Sequence, residues 1–197
     1  MTDEPQRGGR PRDTRVDAAI LAATRTLLAE VGYGALTMDL VAGRANVGKA
    51  AIYRRYAGKQ DLVFAAAVHG RTLDPPPDSG DLRTDLRWLV GGIARSLSSP
   101  ETRAALPALL ADVTADDDVA DRFMRTFVAE ERAYVETILD QARRRGDLRT
   151  PVDAEVVHSL VLGAIFARIY LLRKPADKAY QHEVTDLAAK ALTEGAR

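Results

Sequence analysis

The sequence predicts an all-α fold of about nine helices, and three observations favour this class. Apolar residues recur three and four positions apart, as Val16, Ile20, Ala23, Leu27 and Val31 do near the N-terminus. This spacing places them on one face of an α-helix. No segment alternates apolar and polar residues convincingly enough to predict a strand. Glycines and prolines separate the periodic segments, at positions where they are expected to end helices.

Four helices are expected in the N-terminal part of the chain. Asp13 or Thr14 can cap the first helix, and Gly32 is placed to end it. Thr37 is a hydroxyl N-cap for the second helix, and the turn at residues 46–48 separates it from the third. The predicted bounds are residues 13–32, 37–45, 49–56 and 59–73.

A proline-rich segment follows the fourth helix and predicts a domain linker. Pro75, Pro76 and Pro77 cannot continue a helix, and the following Asp-Ser-Gly favours a loop. Five further helices are predicted at residues 81–98, 101–113 (kinked at Pro107), 119–145, 153–173 and 177–192. The chain is therefore divided into a disordered basic arm at residues 1–12, a unit of four helices at 13–73 and a C-terminal helical domain at 81–197.

Charge is distributed unevenly along the 197-residue chain, although its formal net charge is zero. Residues 1–73 contain 11 basic and 7 acidic residues, whereas residues 74–197 contain 17 and 21. A basic N-terminal part indicates that this part alone meets a polyanion. Chance asymmetry would explain the charges equally well, so the charges do not decide the question.

Several classes of function are disfavoured by the residue types. There is no cysteine, which excludes disulfides and thiolate metal sites, and the three histidines lie at unrelated spacings. Residues 116–118 are three aspartates that are better explained as a helix N-cap than as a metal site, so no metal or other cofactor is expected. No catalytic motif is present, which leaves an all-helical enzyme or interaction module as a distant alternative.

A cytoplasmic protein without membrane contact is the expectation from hydropathy. The N-terminal residues are polar, and no apolar run approaches the roughly 20 residues of a membrane span. The most apolar segment, Val156 to Leu172, contains His158 and Arg168.

Residues 37–56 have the pattern of a helix-turn-helix. Leu40, Val41 and Ala45 are expected to face inward from the first helix, Val47 to fill the turn and Ile52 to anchor the second helix. A helix of about two turns fits the major groove, which is about 12 Å wide, and presents its N-terminal residues to base edges. The remaining residues of this helix are spread over its other faces: Lys49, Ala50, Ala51, Tyr53, Arg54 and Arg55.

The segment from Leu36 to Leu62 resembles the DNA-binding core of the tetracycline-repressor (TetR) family. It reads LTMDLVAGRANVGKAAIYRRYAGKQDL, with a Thr cap, an apolar-Ala pair, a Val-containing turn, an apolar-Tyr-x-x-aromatic helix and a Lys that opens the next helix. Residues 31–34 match the usual end of the family's first helix. The resemblance is strong over residues 13–65 and architectural beyond them. It implies a sequence-specific DNA-binding transcriptional regulator.

The resemblance also implies roles for individual residues. Phosphates of the DNA backbone would be contacted by Thr37, Arg44, Tyr53 and Lys59. Bases would be contacted by Lys49, Ala50 and Ala51, and either Arg54 or Arg55 would contact the backbone or a guanine. Gly48 and Ala50 stand where the family often has Ser and Gly, so the chain lacks a serine hydroxyl that commonly supports a phosphate contact.

The N-terminal arm contains a second basic motif, Gly-Gly-Arg-Pro-Arg at residues 8–12. Its Gly-Arg-Pro core resembles the AT-hook, an extended peptide that binds the minor groove. Arg10 and Arg12 would then enter a narrow minor groove, where the negative potential favours arginine. A tail that only increases solubility is the alternative.

The C-terminal domain of the resembled family dimerises through its last two helices. The helix predicted at residues 153–173 is apolar almost all round, which is most easily explained if a partner chain covers one side. The face assigned to the dimer comprises Val156, Leu160, Gly163, Ala167 and Tyr170. The inward face comprises His158, Val161, Ile165 and Ile169.

A ligand cavity is also common in this family. Five aromatic residues are candidates for its lining: Trp88, Phe123, Phe127, Tyr134 and Phe166. Aromatic residues at helical spacing are more often plain core, and this alternative stays open. The leading hypothesis is a homodimeric repressor that a small apolar or amphipathic effector releases from an inverted-repeat operator in double-stranded DNA. Regulation without an effector, and activation, are the alternatives.

Overall fold

A computed structural model describes residues 14–67, 75–148 and 151–194, and over these ranges the protein is all-α with no strand. The predicted fold class is confirmed. The α-helices are α1 (Thr14–Ala35), α2 (Met38–Ala45), α3 (Lys49–Tyr53), α4 (Lys59–Ala67), α5 (Leu82–Ser98), α6 (Pro100–Ala115), α7 (Asp117–Phe123), α8 (Ala129–Arg145), α9 (Ala154–Phe166) and α10 (Lys178–Glu194).

Local residue chemistry explains where α1 is interrupted and where α2 begins and ends. Gly32 has a φ of 73°, which interrupts α1 and which glycine adopts without a Cβ penalty. The Thr37 side chain accepts a hydrogen bond from the Leu40 backbone N–H, as an N-cap should. Asn46 ends α2 in the left-handed region with a φ of 54°. The next helix, α3, is shorter than the predicted 49–56, because the chain turns after Tyr53.

Two apolar residues of this unit face outward, and for Leu40 this contradicts the prediction. Leu40 is 45% exposed and Val31 is 43% exposed. Val41 is buried as predicted, together with Met38 and Ala42, and Ala45 is half-buried. An eight-residue helix makes little more than two turns, so tertiary packing decides which of its apolar residues lie inside. Ile52 is fully buried, as predicted.

The C-terminal half has one α-helix more than predicted, because a π-helical turn divides one predicted helix in two. Met124–Val128 joins α7 to α8, so the two correspond to the single helix predicted at 119–145. Ala167–Leu171 extends α9 in the same way. Asp116 accepts hydrogen bonds from the N–H groups of residues 118 and 119, which confirms the N-cap interpretation of the acidic triplet.

The fourth helix connects the two halves of the fold. It packs against α1 on one side and against α6 and α7 on the other, while α1 itself also packs on α6. In the C-terminal half, α5 is central and contacts α6, α8, α9 and α10. Thr102, at the start of α6, donates its hydroxyl hydrogen to the Ala67 carbonyl oxygen at 2.6 Å. A shift of α4 would therefore move its contacts with α1 in the N-terminal half and with α6 and α7 in the C-terminal half.

A buried ion-pair cluster fixes the start of α5 to the end of α8. Asp85 is fully buried, and its carboxylate accepts bonds from the Ser79 hydroxyl at 2.6 Å and from Arg145 Nη2 at 3.2 Å. Arg145 also contacts Asp78 at 2.6 Å and Asp147 at 2.9 Å. The bond to Asp147, followed by the charges of the other two carboxylates, raises the pKa of Arg145.

One helical segment, Ala154–Leu171, is long and apolar enough to cross a membrane by composition, and 33% of its residues are buried. This segment is α9 with its π-helical turn. A core helix satisfies the same criterion, and α9 contacts α5, α8 and α10. The feature is therefore weak as an argument for a membrane.

Candidate nucleic-acid interface and ligand cavity

The helix-turn-helix presents a small outward surface on α3. Lys49, Ala50, Tyr53 and Arg54 are exposed there, whereas Ala51 is half-buried. Tyr53 is 54% exposed although its ring is apolar. A buried Ile52 holds this helix to the core, so the exposed side chains project from a fixed support.

The candidate base-contacting lysine is paired with a carboxylate. Lys49 Nζ lies 2.6 Å from Asp39 Oδ1, and both side chains are more than half exposed. The hydrogen bond to Asp39 raises the pKa of Lys49, so this side chain carries its charge at neutral pH. Asp39 was not among the sequence candidates. An acidic residue in the first turn of α2 looks like a helix-dipole partner, and only the fold brings it to Lys49.

Two of the arginine candidates differ in accessibility. Arg54 is exposed, but the Arg55 side chain is only 16% exposed. Arg55 donates a hydrogen bond to the Ala51 carbonyl oxygen at 2.9 Å and its Nε lies 3.6 Å from Asp17 Oδ1. Of the two open alternatives, Arg54 is therefore the one with an exposed side chain, whereas Arg55 links α3 to α1.

The other cationic candidates lie beside α1. Arg44 makes two hydrogen bonds to the Glu30 carboxylate, of 3.0 and 2.6 Å, and remains 42% exposed. Lys59 Nζ lies 3.3 Å from the Gly34 carbonyl oxygen and 4.2 Å from the centre of the Tyr33 ring. Burial lowers the pKa of Lys59. Arg10 and Arg12 lie outside the described residues.

A polar cluster joins the start of α4 to α6 and α7. The Asp112 carboxylate accepts hydrogen bonds from the Tyr33 hydroxyl and from Gln60 Nε2, the latter at 3.1 Å. Burial and the nearby Asp112 raise the pKa of Tyr33, which keeps its hydroxyl protonated as a donor. Asp61 and Arg122 form a second link, with Nε and Oδ1 3.5 Å apart.

A largely apolar cavity of about 410 Å³ lies between α4 and the helices of the C-terminal half. Of the five predicted lining residues, Phe123 and Phe166 do line it. Its wall is completed by Phe64, Leu97, Leu106, Leu110, Val128, Glu131, Ser159, Leu162 and Gly163. Phe64 belongs to α4, and its ring meets that of Phe123 edge to face with centroids 4.5 Å apart. The sequence analysis missed Phe64, because its apolar neighbours Leu62 and Val63 look the same from the pattern.

Two of the predicted lining residues lie away from this cavity. Trp88 and Tyr134 pack against each other, with ring centroids 6.1 Å apart, and do not line the cavity. The two rings pack α5 against α8, so both residues contribute to helix packing, which is the alternative left open in the sequence analysis. The Phe127 side chain lies outside the described part of the structure.

A larger depression of about 860 Å³ lies between the start of α5 and the end of α10. Seven of its twelve lining residues are charged, and it contains none of the predicted ligand residues. Such a lining is typical of a solvated groove rather than of a binding site for an apolar ligand.

The face of α9 assigned to a dimer is exposed in the single chain. Leu160 is 63% exposed, Val156 is 53% exposed, and Gly163 is exposed as well, while Ala167 is half-buried. The predicted inward residues His158, Val161, Ile165 and Ile169 are all buried. Tyr170 departs from the assigned face. Its hydroxyl donates to the Leu97 carbonyl oxygen at 3.0 Å, its ring stacks on Phe166, and burial raises its pKa to about 12.

The chain is similar to known proteins over both of its halves. The family model for bacterial regulatory proteins of the tetR family matches residues 20–66, and that for the tetracyclin repressor-like C-terminal domain matches residues 76–188. An uncharacterized HTH-type transcriptional regulator of Mycobacterium tuberculosis, Rv1556, is 35% identical over 93% of this chain and 89% of its own. The DNA-binding transcriptional repressor TetR of Mycobacteroides abscessus is 30% identical over 86% of this chain and 89% of its own.

A solved structure has the same overall fold. The TetR family transcription regulator SCO0332 superposes with a TM-score of 0.73 at 27% identity, covering 93% of this chain and 99% of that one.

The fold and the exposed helix-turn-helix define a DNA-binding transcriptional regulator, and the relatives are regulators rather than enzymes. The chain belongs to the TetR family. Regulators of this family bind DNA and form dimers.

Proposed function

We propose that the protein is a homodimeric repressor that leaves its operator when a small molecule occupies the cavity of about 410 Å³. The observation that carries this proposal is that one helix, α4, contributes both Phe64 to the cavity wall and Lys59 to the candidate DNA interface. Residues 13–73 would act as the DNA-binding domain and residues 81–197 as the dimerisation and effector domain. The M. abscessus relative is itself named a repressor.

Exposed apolar residues support the dimer. Nine large apolar or aromatic residues are exposed in the described chain, and five of them lie on α9, just after it or on α10: Val156, Leu160, Leu171, Leu172 and Leu187. Clustered apolar exposure of this kind marks a surface that a partner covers. A second copy would place two α3 helices on one face of a duplex and so require a symmetric operator.

Effector release would act through α4. A ligand that moves the Phe123 ring must also move the ring of Phe64, because the two centroids are 4.5 Å apart. The same helix is held at its start by the bonds of Gln60 to Asp112 and of Asp61 to Arg122. Displacement of α4 would shift the two helix-turn-helix units of the dimer. The distance between their α3 helices would then no longer match the distance between the two half-sites of the operator. Differential binding to the two arrangements would supply the coupling free energy.

Base recognition is tested by replacing Lys49 with Ala. We expect preference for one guanine in each half-site to fall about tenfold, because a lysine donor to guanine O6 and N7 discriminates strongly between bases. Wild type and variant are compared by selecting bound sequences from a random DNA library. The wild type should enrich an inverted repeat with half-site centres about 34–36 Å apart or a multiple of that.

The matched control is Lys190→Ala, which removes an exposed lysine on α10 that is paired with Glu194. This control should enrich the wild-type motif. Identical base preferences in the Lys49 variant would show that this residue contacts no base. Enrichment of no motif by the wild type would overturn sequence-specific binding itself.

Phosphate contacts are tested by the salt dependence of DNA binding. Lys59→Ala should weaken binding to all sequences alike and lower the slope of log affinity against log salt by roughly 0.9, since one released counterion is lost. Tyr53→Phe removes a neutral hydroxyl donor and should weaken binding without changing the slope. Affinities are measured by fluorescence anisotropy over a salt series. An unchanged slope for Lys59→Ala would remove Lys59 from the interface.

A further inference from the structure

The lining of the proposed effector cavity is mostly apolar and contains one acidic residue. Eight of its eleven lining residues are apolar side chains, and three of these are the phenylalanines Phe64, Phe123 and Phe166. The lining contains one carboxylate, Glu131, one hydroxyl, Ser159, and no lysine or arginine. Its volume of about 410 Å³ lies toward the lower end of the roughly 300–1,000 Å³ of small-molecule sites. The site therefore suits a compact molecule with an apolar body.

Glu131 is held in place by a buried histidine. His158 Nε2 lies 2.9 Å from Glu131 Oε2, and the His158 side chain is only 4% exposed. Over the described ranges, no other side chain forms a hydrogen bond or ion pair with the Glu131 carboxylate. The histidine, on α9, thus fixes one oxygen of a carboxylate on α8 and leaves the other able to accept.

A carboxylate beside an apolar cavity is costly unless its acceptor oxygens are satisfied. Glu131 lines the cavity and its side chain is 27% exposed, so a bound ligand can donate a hydrogen bond to it in place of water, and a charged donor makes the stronger bond. The phenylalanine rings of the wall also attract cations through their negative faces. An anionic ligand would meet repulsion from Glu131 and find no basic side chain in the lining.

We infer that the effector is an amphipathic amine, with a protonated amino group bound by Glu131 and an apolar body that fills the phenylalanine-lined part of the cavity. This inference rests on the proposed function, which supplies the cavity as the effector site. It assigns Glu131 as the residue that selects the ligand by charge, and His158 as the residue that positions it.

Three probes of similar size test the inference: phenylbutylamine, phenylbutanol and phenylbutanoate. Binding to the full chain is measured by isothermal titration calorimetry. The wild type is expected to bind the amine about tenfold more tightly than the alcohol, and the anion more weakly than either. Glu131→Gln should abolish the advantage of the amine over the alcohol. Glu136→Gln makes the same change on an exposed residue of α8 outside this cavity and should keep the advantage.

A second variant separates the charge inference from the cavity itself. Leu110→Trp narrows the cavity and should weaken all three probes in the same proportion. If the wild type binds the three probes equally and Leu110→Trp weakens them, the cavity stands and the amine inference is overturned. If Glu131→Gln keeps the preference for the amine, the role of Glu131 is overturned. The wild-type comparison needs no variant, so a Glu131→Gln protein that fails to fold does not prevent the test.

Release of DNA is measured separately. The amine is added to the complex with a selected operator, where it should lower the apparent affinity. An amine that binds selectively without releasing DNA would overturn the proposed effector response and leave the ligand class intact. Binding of none of the probes would overturn both.

Discussion

Replacing Leu160 with Glu is expected to convert the dimer into a monomer and to weaken operator binding by about 100-fold or more. Leu160 is the most exposed large apolar residue within α9. A carboxylate there would be buried in the proposed interface, where the loss of its hydration opposes association. The loss at the operator follows because linking two half-site contacts in one dimer raises avidity by about 10²–10⁴.

The oligomeric state is measured by sedimentation at micromolar concentration, and operator binding by anisotropy at fixed salt. Met124→Glu is the matched control, since Met124 is 50% exposed but lies on the π-helical turn between α7 and α8. It should remain dimeric. A dimeric Leu160→Glu protein with unchanged operator affinity would move the interface away from this face of α9.

A bulky residue at Gly163 would be a less specific test of the interface. Gly163 lies on the exposed side of α9 and also lines the cavity, and a Cβ added there meets no atom within 4 Å. A leucine at this position could therefore enter the cavity, clash with a partner or do both. Leu160 lines no part of the cavity, so its substitution reports on the interface alone.

The N-terminal unit was predictable because its signals are local. A hydroxyl cap at Thr37, a left-handed turn at Asn46 and a buried Ile52 lie within sixteen residues of one another in the sequence, and each has a single physical interpretation. The inward position of Leu40 was predicted wrongly. Helical spacing alone cannot state which part of a wide apolar stripe meets the core when the helix is short.

The contacts between distant parts of the chain could not be predicted. The bond between Tyr33 and Asp112 joins residues 79 apart, and the pair of Glu131 and His158 joins residues 27 apart. No spacing rule relates such residues, because the contact exists only after α1, α6, α8 and α9 have packed. The cavity shows the same limit, since Phe123 and Trp88 are both aromatic residues on amphipathic helices and only one lines it.

Replacing Arg145 with Met is expected to lower the free energy of unfolding by about 3 kcal/mol, at the lower end of the range for breaking a buried pair. The change keeps most of the aliphatic stem but removes the charge that neutralises Asp85, which is fully buried. Asp85 would keep its two bonds from Ser79, so its carboxylate would remain partly solvated by the protein. The uncompensated charge at the start of α5 is the main cost.

Urea unfolding at one fixed protein concentration measures this effect, because the stability of a dimer depends on concentration. Arg143→Met is the control, since the Arg143 side chain is 50% exposed and pairs with Asp140 on the same helix. Exposed pairs contribute little, so this control should change the unfolding free energy by less than about 1 kcal/mol. Adding Asp85→Asn to Arg145→Met should recover part of the loss, because the amide keeps an acceptor for Ser79 without a buried charge. Equal destabilisation by Arg143→Met and Arg145→Met would mean that the pair with Asp85 does not hold α8 to α5.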